Sequence, residues 1–182
     1  MKKIQLLGLS KDTLVIIQDI LQCIYPSISL KIYLNRALNI EPQMPVKSFD
    51  YHVLKDATPE KDTPIFYGTA GPQNKYPILN DFQISAGISK KDFINVIHSS
   101  AYISNSSILS TGNLIEPGVV ISAQSQIDFG VFIKRGALLG HHNHIGAFTD
   151  INPGVVISGQ VTIGKGCIIG TGSVIKDNIS IG

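Results

Sequence analysis

The sequence lacks several features that would assign it to a familiar class of protein. It has no tryptophan, only two cysteines, and 15% charged residues over 182 positions, against roughly 25% charged residues in an average globular protein. The formal net charge is +2, and lysine and arginine are scattered, so the basic stripe of a nucleic-acid groove is missing. No window approaches the roughly 18 uninterrupted apolar residues of a membrane-spanning helix.

The amino terminus and the cysteines indicate a reducing compartment. The first apolar run, in MKKIQLLGLSKD, is interrupted by Lys11 and Asp12 and is too short for a signal-peptide core. Cys23 and Cys167 lie in different halves of the chain and form no CxxC pair. We therefore expect a cytoplasmic protein with reduced thiols.

The second half of the sequence contains a six-residue repeat. Ile or Leu occupies all fourteen positions from Ile103 to Ile181 taken in steps of six. The residue two positions earlier is mostly small, and Gly often follows the aliphatic residue, as at Gly140 and Gly164. This period predicts one short strand per repeat and three strands per coil, with residue n stacked on residue n+18. No insertion breaks the phase, so we expect a smooth prism of four to five coils.

The first hundred residues follow a different pattern, in which strands alternate with helices. We predict strands at 3–7, 28–34, 64–67 and 93–97, with helices at 13–25 and 72–82. This alternation is typical of an α/β domain with a parallel sheet. The Pro-rich segment 41–64 receives no assignment. The sequence thus predicts a small Rossmann-like α/β domain over residues 1–97 and an all-β parallel β-helix over residues 98–182.

Two motifs carry a family resemblance. The stretch FINVIHSSA at 93–101 is similar to a junction motif, and GHHNHIGAFTDINPG at 140–154 resembles the signature of sialic acid O-acetyltransferase type sugar acetyltransferases. These hexapeptide-repeat enzymes include bacterial N-acetyltransferases of nucleotide-linked amino sugars. The resemblance covers nearly the whole chain. It implies a left-handed coil, acetyl-CoA as acyl donor, a nucleotide-activated sugar substrate for surface glycan synthesis, and a homotrimer with sites between prisms.

The resemblance assigns the catalytic base to His141. Transfer from a thioester requires a neutral amine or hydroxyl to attack the carbonyl, and an imidazole can take the released proton near neutral pH. Because His141 lies two residues past Leu139, the repeat places it at a corner with its side chain outward. Its neighbours one coil away are Ala123 and Gly159, and these small residues should leave space beside the imidazole.

Three further residues in or near the signature are candidates. His142 occupies the position of an acidic residue that usually follows the base, and we retain it as a catalytic candidate. Asp150 replaces the second histidine, which in relatives contacts the acetyl donor, so the resemblance implies catalytic and cofactor-binding roles for it. Gly159 matches a further family glycine, and backbone N–H groups near it would receive the acetyl carbonyl.

The first domain supplies candidate substrate-binding residues. Gly8 and Ser10 lie where a strand passes into a helix N-terminus, which is a natural anion site. Gly68 ends another strand beside the same expected crevice, at the edge where open α/β sheets bind ligands. We therefore predict that Gly8, Ser10 and Gly68 contact the nucleotide-activated sugar.

Other functions remain open at this stage. The HHNH cluster at 141–144 invites a metal interpretation, but zinc sites on such solenoids draw histidines from separated coils, and we expect no metal. The altered signature is also compatible with a binding or assembly protein that transfers little or no acetyl group. N-acetylation and O-acetylation of the sugar are not distinguished.

Overall fold

The computed structural model describes residues 1–36, 50–60 and 62–182. The chain forms two compact units, which are treated separately below. Unit 1 comprises residues 1–70 and 74–94, and unit 2 comprises residues 71–73 and 95–182. Within the described residues, no helix combines the length and apolar character needed to cross a membrane.

Unit 1 is built on a four-stranded parallel sheet. Its strands are β1 (Lys2–Leu7), β2 (Ile28–Leu34), β3 (Asp50–Val53) and β4 (Ile65–Tyr67), in the order β3-β2-β1-β4. Three of the four strands match the prediction closely. The order reverses at β1, because β2 lies on one side of it and β4 on the other. The carboxyl ends of β1 and β4 therefore meet at one edge of the sheet.

The helices of unit 1 follow the apolar spacing of the sequence. Helix α1 (Lys11–Ile24) connects β1 to β2 and buries Leu14, Ile17, Ile20 and Leu21. Helix α2 (Pro72–Ala86) follows β4 and continues four residues beyond the predicted end, with Pro77 inside it. A short 3₁₀ helix covers Lys90–Asp92, where the Asp92 carboxylate accepts the Ser89 N–H in a capping box.

Strand β3 lies in the Pro-rich segment that received no assignment from the sequence. It pairs in parallel with β2, with Lys31 opposite Asp50 and Leu34 opposite Val53. Residues 41–49 and 61 of that segment lie outside the described residues. A four-residue strand at the end of the sheet order requires little apolar periodicity, which explains why the pattern did not predict it.

The predicted strand at 93–97 is divided between the two units. Phe93 forms an isolated parallel bridge with Ile65, and the Ile94 N–H donates to the Ile65 carbonyl within unit 1. Residues 96–97 instead form the first strand of unit 2, paired with residues 114–115. The boundary predicted after residue 97 therefore falls inside the solenoid. The continuous apolar run conceals this change because both parts are extended.

Unit 2 is a parallel β-helix with the predicted repeat of 18 residues. Its described residues contain fifteen two-residue strands, which form three parallel sheets of five strands. In chain order, β5 to β19 are Val96–Ile97, Tyr102–Ile103, Ile108–Leu109, Leu114–Ile115, Val120–Ile121, Gln126–Ile127, Phe132–Ile133, Leu138–Leu139, His144–Ile145, Asp150–Ile151, Val156–Ile157, Thr162–Ile163, Ile168–Ile169, Val174–Ile175 and Ser180–Ile181. Face I contains β5, β8, β11, β14 and β17; face II begins with β6 and face III with β7.

The interior of unit 2 combines apolar stacking with a ladder of side-chain hydrogen bonds. The second residue of each strand points inward, and those of the central coils are fully buried. Small polar residues two positions earlier bond to the coil above: the Asn113 Oδ1 accepts the Val131 N–H at 2.8 Å, and the Asn143 Oδ1 accepts the Val161 N–H at 2.8 Å. These residues therefore satisfy backbone donors as well as filling space.

The corners follow a rule that the sequence revealed only in part. From residue 112 to residue 178, every sixth residue has a positive φ, whether or not it is glycine. The glycines directly after the aliphatic positions serve a different purpose: a Cβ at Gly140 would lie 2.7 Å from the Ser158 carbonyl carbon, and one at Gly146 would lie 2.6 Å from that of Gly164. Those glycines allow close stacking of the coils, and the backbone freedom at the turns is needed instead at the positive-φ positions.

Candidate functional site

The corner between faces II and III, residues 140–143, carries the candidate base. The Gly140 carbonyl accepts hydrogen bonds from the Ser125 Oγ and the Asn143 Nδ2, both at 3.0 Å. Its N–H donates to the Ile157 carbonyl at 2.7 Å. Hydrogen bonds to Ser125 in the coil below, to Ile157 in the coil above and to Asn143 within the corner thus hold Gly140 in place.

His141 is exposed at this corner, as the repeat predicted. Its Nδ1 lies 2.9 Å from the Nδ1 of His142, and the two rings are perpendicular with centroids 5.0 Å apart. The His141 Nε2 has no hydrogen-bond partner among the described residues. One nitrogen is therefore engaged, and the other is available to a substrate.

Gly159 lies directly against the His141 ring. A Cβ at Gly159 would lie 2.7 Å from Cε1, 2.8 Å from Nε2 and 3.1 Å from Nδ1 of His141. The space that the missing side chain of Gly159 leaves is thus filled by the His141 ring. The Gly159 N–H makes no hydrogen bond within the described chain, and Gly159 is the platform on which the ring rests.

His142 has a left-handed backbone, with φ 57°. Its N–H donates to the Ala123 carbonyl of the coil below at 2.9 Å, which anchors the backbone independently of the side chain. The sequence identified the position of His142 beside the base but gave no indication of this conformation. Residue 142 has a positive φ because it is one of the corner positions, one in every six residues, that all adopt this conformation.

His144 belongs to a separate pair on face III. Its Nε2 lies 3.1 Å from the Asp128 Oδ2, and its side chain is partly exposed. The other Asp128 oxygen accepts a hydrogen bond from the Gln126 Nε2 at 3.3 Å. The Asp128 carboxylate is therefore bonded to Gln126 and His144, on two neighbouring strands of face III, and is not bonded to His141 or His142.

Asp150 lies on face I and does not join the histidine corner. Its carboxylate is almost completely buried, accepts the Gly71 N–H at 3.0 Å, and lies 3.9 Å from the Lys134 Nζ. The Nδ1 of His141 is bonded to His142 instead. Asp150 is therefore not bonded to this imidazole, and the two residues lie on different parts of the prism. The partner in Gly71 is 79 residues away in sequence and could not be inferred from spacing.

In unit 1, the structure brings Gly8, Ser10 and Gly68 together at the carboxyl ends of β1 and β4. The Ser10 N–H donates to the Gly68 carbonyl at 3.0 Å, and a Cβ at Gly68 would overlap the Gly8 carbonyl oxygen. Gly8 requires its positive φ of 77° for this turn. The backbone donors of Gly8, Ser10 and Gly68 all bond internally, the first to the Tyr33 carbonyl at 2.8 Å and the last to the Leu7 carbonyl at 2.9 Å.

Helix α1 therefore presents its first turn at this edge. Ser10 has extended N-cap geometry, but its side chain makes no capping hydrogen bond to the helix. The Ser10 hydroxyl lies 3.4 Å from the Thr13 Oγ1 instead. Any anion bound at this edge would meet the N–H groups of the first turn rather than those of the three predicted residues.

A cavity of about 420 Å³ lies elsewhere in unit 1, near the amino end of β4. Its lining includes Glu60, Asp62, Ile88, Lys91 and Asp92. It is therefore not at the edge where the sheet order reverses. Over the described residues, no group of three or more His, Cys, Asp or Glu side chains could hold a metal ion.

The two units together define a class of fold, a parallel α/β unit joined to a hexapeptide β-helix. A variant of GDP-perosamine N-acetyltransferase from Caulobacter crescentus, solved with CoA and GDP-perosamine, has this fold. It matches with a TM-score of 0.65 at 18% identity over 100% of this chain and 94% of that chain. A second variant of perosamine N-acetyltransferase from the same organism matches with a TM-score of 0.63 at 17% identity over 100% of this chain and 91% of that one.

WeeI from Acinetobacter baumannii AYE matches with a TM-score of 0.61 at 13% identity, over 100% of this chain and 95% of that chain. No protein-family model matches the sequence, and no curated protein matches it. The structural likeness shows that this chain shares the fold of these proteins.

Proposed function

We propose that this chain is an acetyl-CoA-dependent acyltransferase that N-acetylates a nucleotide-linked amino sugar for surface glycan synthesis. The observation that carries the proposal is the His141 imidazole, exposed on the Gly159 platform with Nδ1 engaged and Nε2 available. The shared fold supports it, because solved proteins with this fold are described as N-acetyltransferases that bind CoA and GDP-perosamine. The sequence resemblance independently assigns the base to the same histidine.

His141 performs the proton transfer in this mechanism. As the sugar amine attacks the thioester carbonyl, the Nε2 of His141 accepts the amine proton and a C–N bond forms. The C–S bond then breaks, and the imidazolium returns the proton to the departing thiolate, so that the products are the amide and the CoA thiol. Such general base catalysis contributes typically 10²–10⁴-fold in rate. The Gly159 N–H is a donor for the developing oxyanion.

The nucleotide part of the substrate is assigned to the carboxyl edge of the unit 1 sheet. Gly8, Ser10 and Gly68 shape this edge, and the first turn of α1 supplies N–H groups and the positive end of the helix dipole. In this arrangement the three predicted residues position the turn, and phosphate contacts come from the helix. A left-handed coil is proposed on the family resemblance.

A homotrimer is proposed on the outer surface of face II. The outward residue of every strand there is apolar: Tyr102, Val120, Leu138, Val156 and Val174. Tyr102 and Val174 are 61% and 76% exposed. Face III by contrast presents Gln126, His144, Thr162 and Ser180 after a single isoleucine. A continuous apolar column of this kind is typical of a buried interface between copies, and light scattering of the purified chain measures the expected trimer mass.

Replacement of His141 tests the proposal. Thiol release from acetyl-CoA is followed with a panel of UDP- and GDP-linked amino sugars, and the product is identified by mass spectrometry. His141→Ala should lower kcat by about 10²–10⁴-fold without changing the thermal unfolding of the chain. His144→Gln, which removes a partly exposed imidazole three residues away that is paired with Asp128, is the matched control and should retain activity. Near-native turnover by His141→Ala would exclude His141 as the base.

One observation favours a second function. Asp150, where relatives carry a histidine that contacts the donor, is bonded to the Gly71 N–H. A binding or assembly module with the same scaffold would need no such donor contact. Calorimetry with acetyl-CoA separates the two functions, since a folded chain without measurable binding would favour the module. The same sugar panel with hydroxyl in place of amine distinguishes N- from O-acetylation.

A further inference from the structure

We propose that His142 is a positioning residue, which accepts the Nδ1–H of His141 and thereby keeps the Nε2 lone pair of His141 free. The kinetic consequence rests on the proposed function. The tautomer itself is a property of the chain and can be measured without any substrate.

The hydrogen bond between the two rings requires one defined arrangement of protons. A neutral imidazole carries a single N–H, and the two Nδ1 atoms are 2.9 Å apart, so one ring donates and the other accepts. If His141 donates from Nδ1, its Nε2 has a lone pair and can accept a proton. If His142 donates, the Nε2 of His141 carries the hydrogen and cannot act as a base. The direction of this one bond therefore decides whether His141 is competent.

The hydrogen bond donated by His141 to His142 keeps its direction when His141 takes up a proton. When the Nε2 of His141 takes up a proton, the ring becomes an imidazolium with Nδ1–H already directed at the His142 Nδ1. The bond becomes charge-assisted and strengthens, and neither ring has to rotate. In the opposite direction, the Nδ1 lone pair of His141 accepts from His142 and its Nε2 carries the hydrogen, so no lone pair is left to take the substrate's proton.

Among the described residues, no other side chain on the surrounding corners is hydrogen-bonded to the His141 ring. The stacked corner below presents Ala123 and Gln124, and the corner above presents Gly159 and Gln160, and neither glutamine amide is bonded to His141. The nearby carboxylate on face III, Asp128, is bonded to His144. Among the described residues that surround the corner, His142 is thus the group that sets the His141 tautomer.

The backbone at residue 142 does not require histidine. The same corner position is glycine at seven of the twelve positive-φ sites between residues 112 and 178. His142 therefore adopts a conformation that is unfavourable for an L-residue, roughly 1–2 kcal/mol per residue, although glycine would fit without strain. The feature that glycine cannot supply is the imidazole.

This backbone also provides a variant that tests the side chain without disturbing the corner. His142→Gly removes the imidazole and relieves the strain, so its thermal unfolding should match that of the wild type, and this measurement separates loss of function from misfolding. Gln124→Gly, at the same position one coil below, is the matched control. His142→Asn is the conservative variant, because asparagine tolerates positive φ, as at Asn178, and its Oδ1 accepts a hydrogen bond.

The first measurement is ¹⁵N NMR of the full chain labelled at histidine, with the His141 signals assigned by their loss in His141→Asn. We expect His141 to carry its hydrogen on Nδ1 in the wild type and in Gln124→Gly. In His142→Gly we expect hydrogen on Nε2 to appear at His141, and in His142→Asn the Nδ1–H form to return. A wild-type His141 with its hydrogen on Nε2, or a tautomer unchanged in His142→Gly, would overturn the inference.

The second measurement is the kinetics of acetyl transfer. His142→Gly should lower kcat by about 10- to 100-fold, the size of effect seen when the group that orients a metal-ligating histidine is removed, with the KM for acetyl-CoA unchanged. His142→Asn should recover part of the loss. If the tautomer responds as expected and no acetyl transfer is found, the proposed function fails and the assignment of His142 stands. If transfer occurs and is equal in His142→Gly and Gln124→Gly, the assignment fails and the function stands.

Discussion

The two units are both parallel-strand structures, but they satisfy their buried polar groups over different distances along the chain. In unit 1, the buried Gln5 side chain donates to the carbonyls of Glu60 and Thr63, which are 55 and 58 residues away. In unit 2, Asn143 bonds to residues 3 and 18 positions away. Unit 1 therefore depends on long-range contacts that form together, whereas unit 2, apart from the Asp150 bond to Gly71, is stabilised coil by coil.

The largest expected effect concerns coil stacking in unit 2. Gly146→Ala places a Cβ 2.6 Å from the carbonyl carbon of Gly164, and since backbone cannot move aside cheaply, we expect a loss of about 3 kcal/mol. Hydrogen exchange should show lost protection in the coils next to residues 146 and 164 and unchanged protection in unit 1. Gly170→Ala is the control, because its Cβ would meet only the Ser173 Oγ at an ordinary 3.7 Å. Equal loss in both units would show that they unfold as one.

A smaller effect is expected when the buried amide side chain of Gln5 in unit 1 or of Asn143 in unit 2 is removed. Gln5→Ala leaves the Glu60 N–H without its acceptor at 2.6 Å and two carbonyls without their donor. Asn143→Ala leaves the Val161 N–H unsatisfied in the same way. Each should cost about 1–3 kcal/mol, measured by urea unfolding. Hydrogen exchange should assign the first loss to the whole sheet of unit 1 and the second to the coils next to residue 143. A loss spread over all of unit 2 by Asn143→Ala would contradict local stabilisation.

The smallest expected effect is a loss of stability of unit 1 in alkaline solution. Burial raises the pKa of the Tyr67 phenol far above its usual value. Above about pH 10 the unfolded chain loses this proton while the folded chain keeps it, so stability is complete below pH 10 and falls above it by up to about 1.4 kcal/mol per pH unit. The tyrosine of unit 2, Tyr102, is 61% exposed. Tyr67→Phe should reduce the pH slope of unit 1 unfolding, and an unchanged slope would exclude this origin.

The sequence predicted the features that repeat and missed those that depend on distant partners. The aliphatic residues from Ile103 to Ile181 were sufficient for the strands and the stacking interval of 18, because each occupies the same environment. The repeat also placed His141 correctly at an exposed corner. It could not reveal that the ring rests on Gly159, since rotamers are decided by packing between coils.

Other misses have equally local causes. The partner of Asp150 lies in a segment 79 residues earlier, which no spacing rule connects to it. The positive φ of His142 could not be predicted, because five of the twelve positive-φ positions between residues 112 and 178 carry glutamine, histidine, phenylalanine or asparagine instead of glycine. At 93–97, one apolar run serves two units, and the sequence contains no residue that marks the change.

The positive-φ positions, one in every six residues from 112 to 178, have a consequence for how such a surface can change over time. Gly112, Gly130 and Phe148 are buried, but the other nine positions are exposed, and occupation there by glycine, glutamine, histidine or asparagine leaves the stacking interval intact. New chemistry can therefore be acquired there one codon at a time, without a compensating change in the interior. The His142 site is one instance, and exposed glycine sites such as Gly136, where a Cβ would meet nothing within 4 Å, are positions of the same kind that carry no side chain.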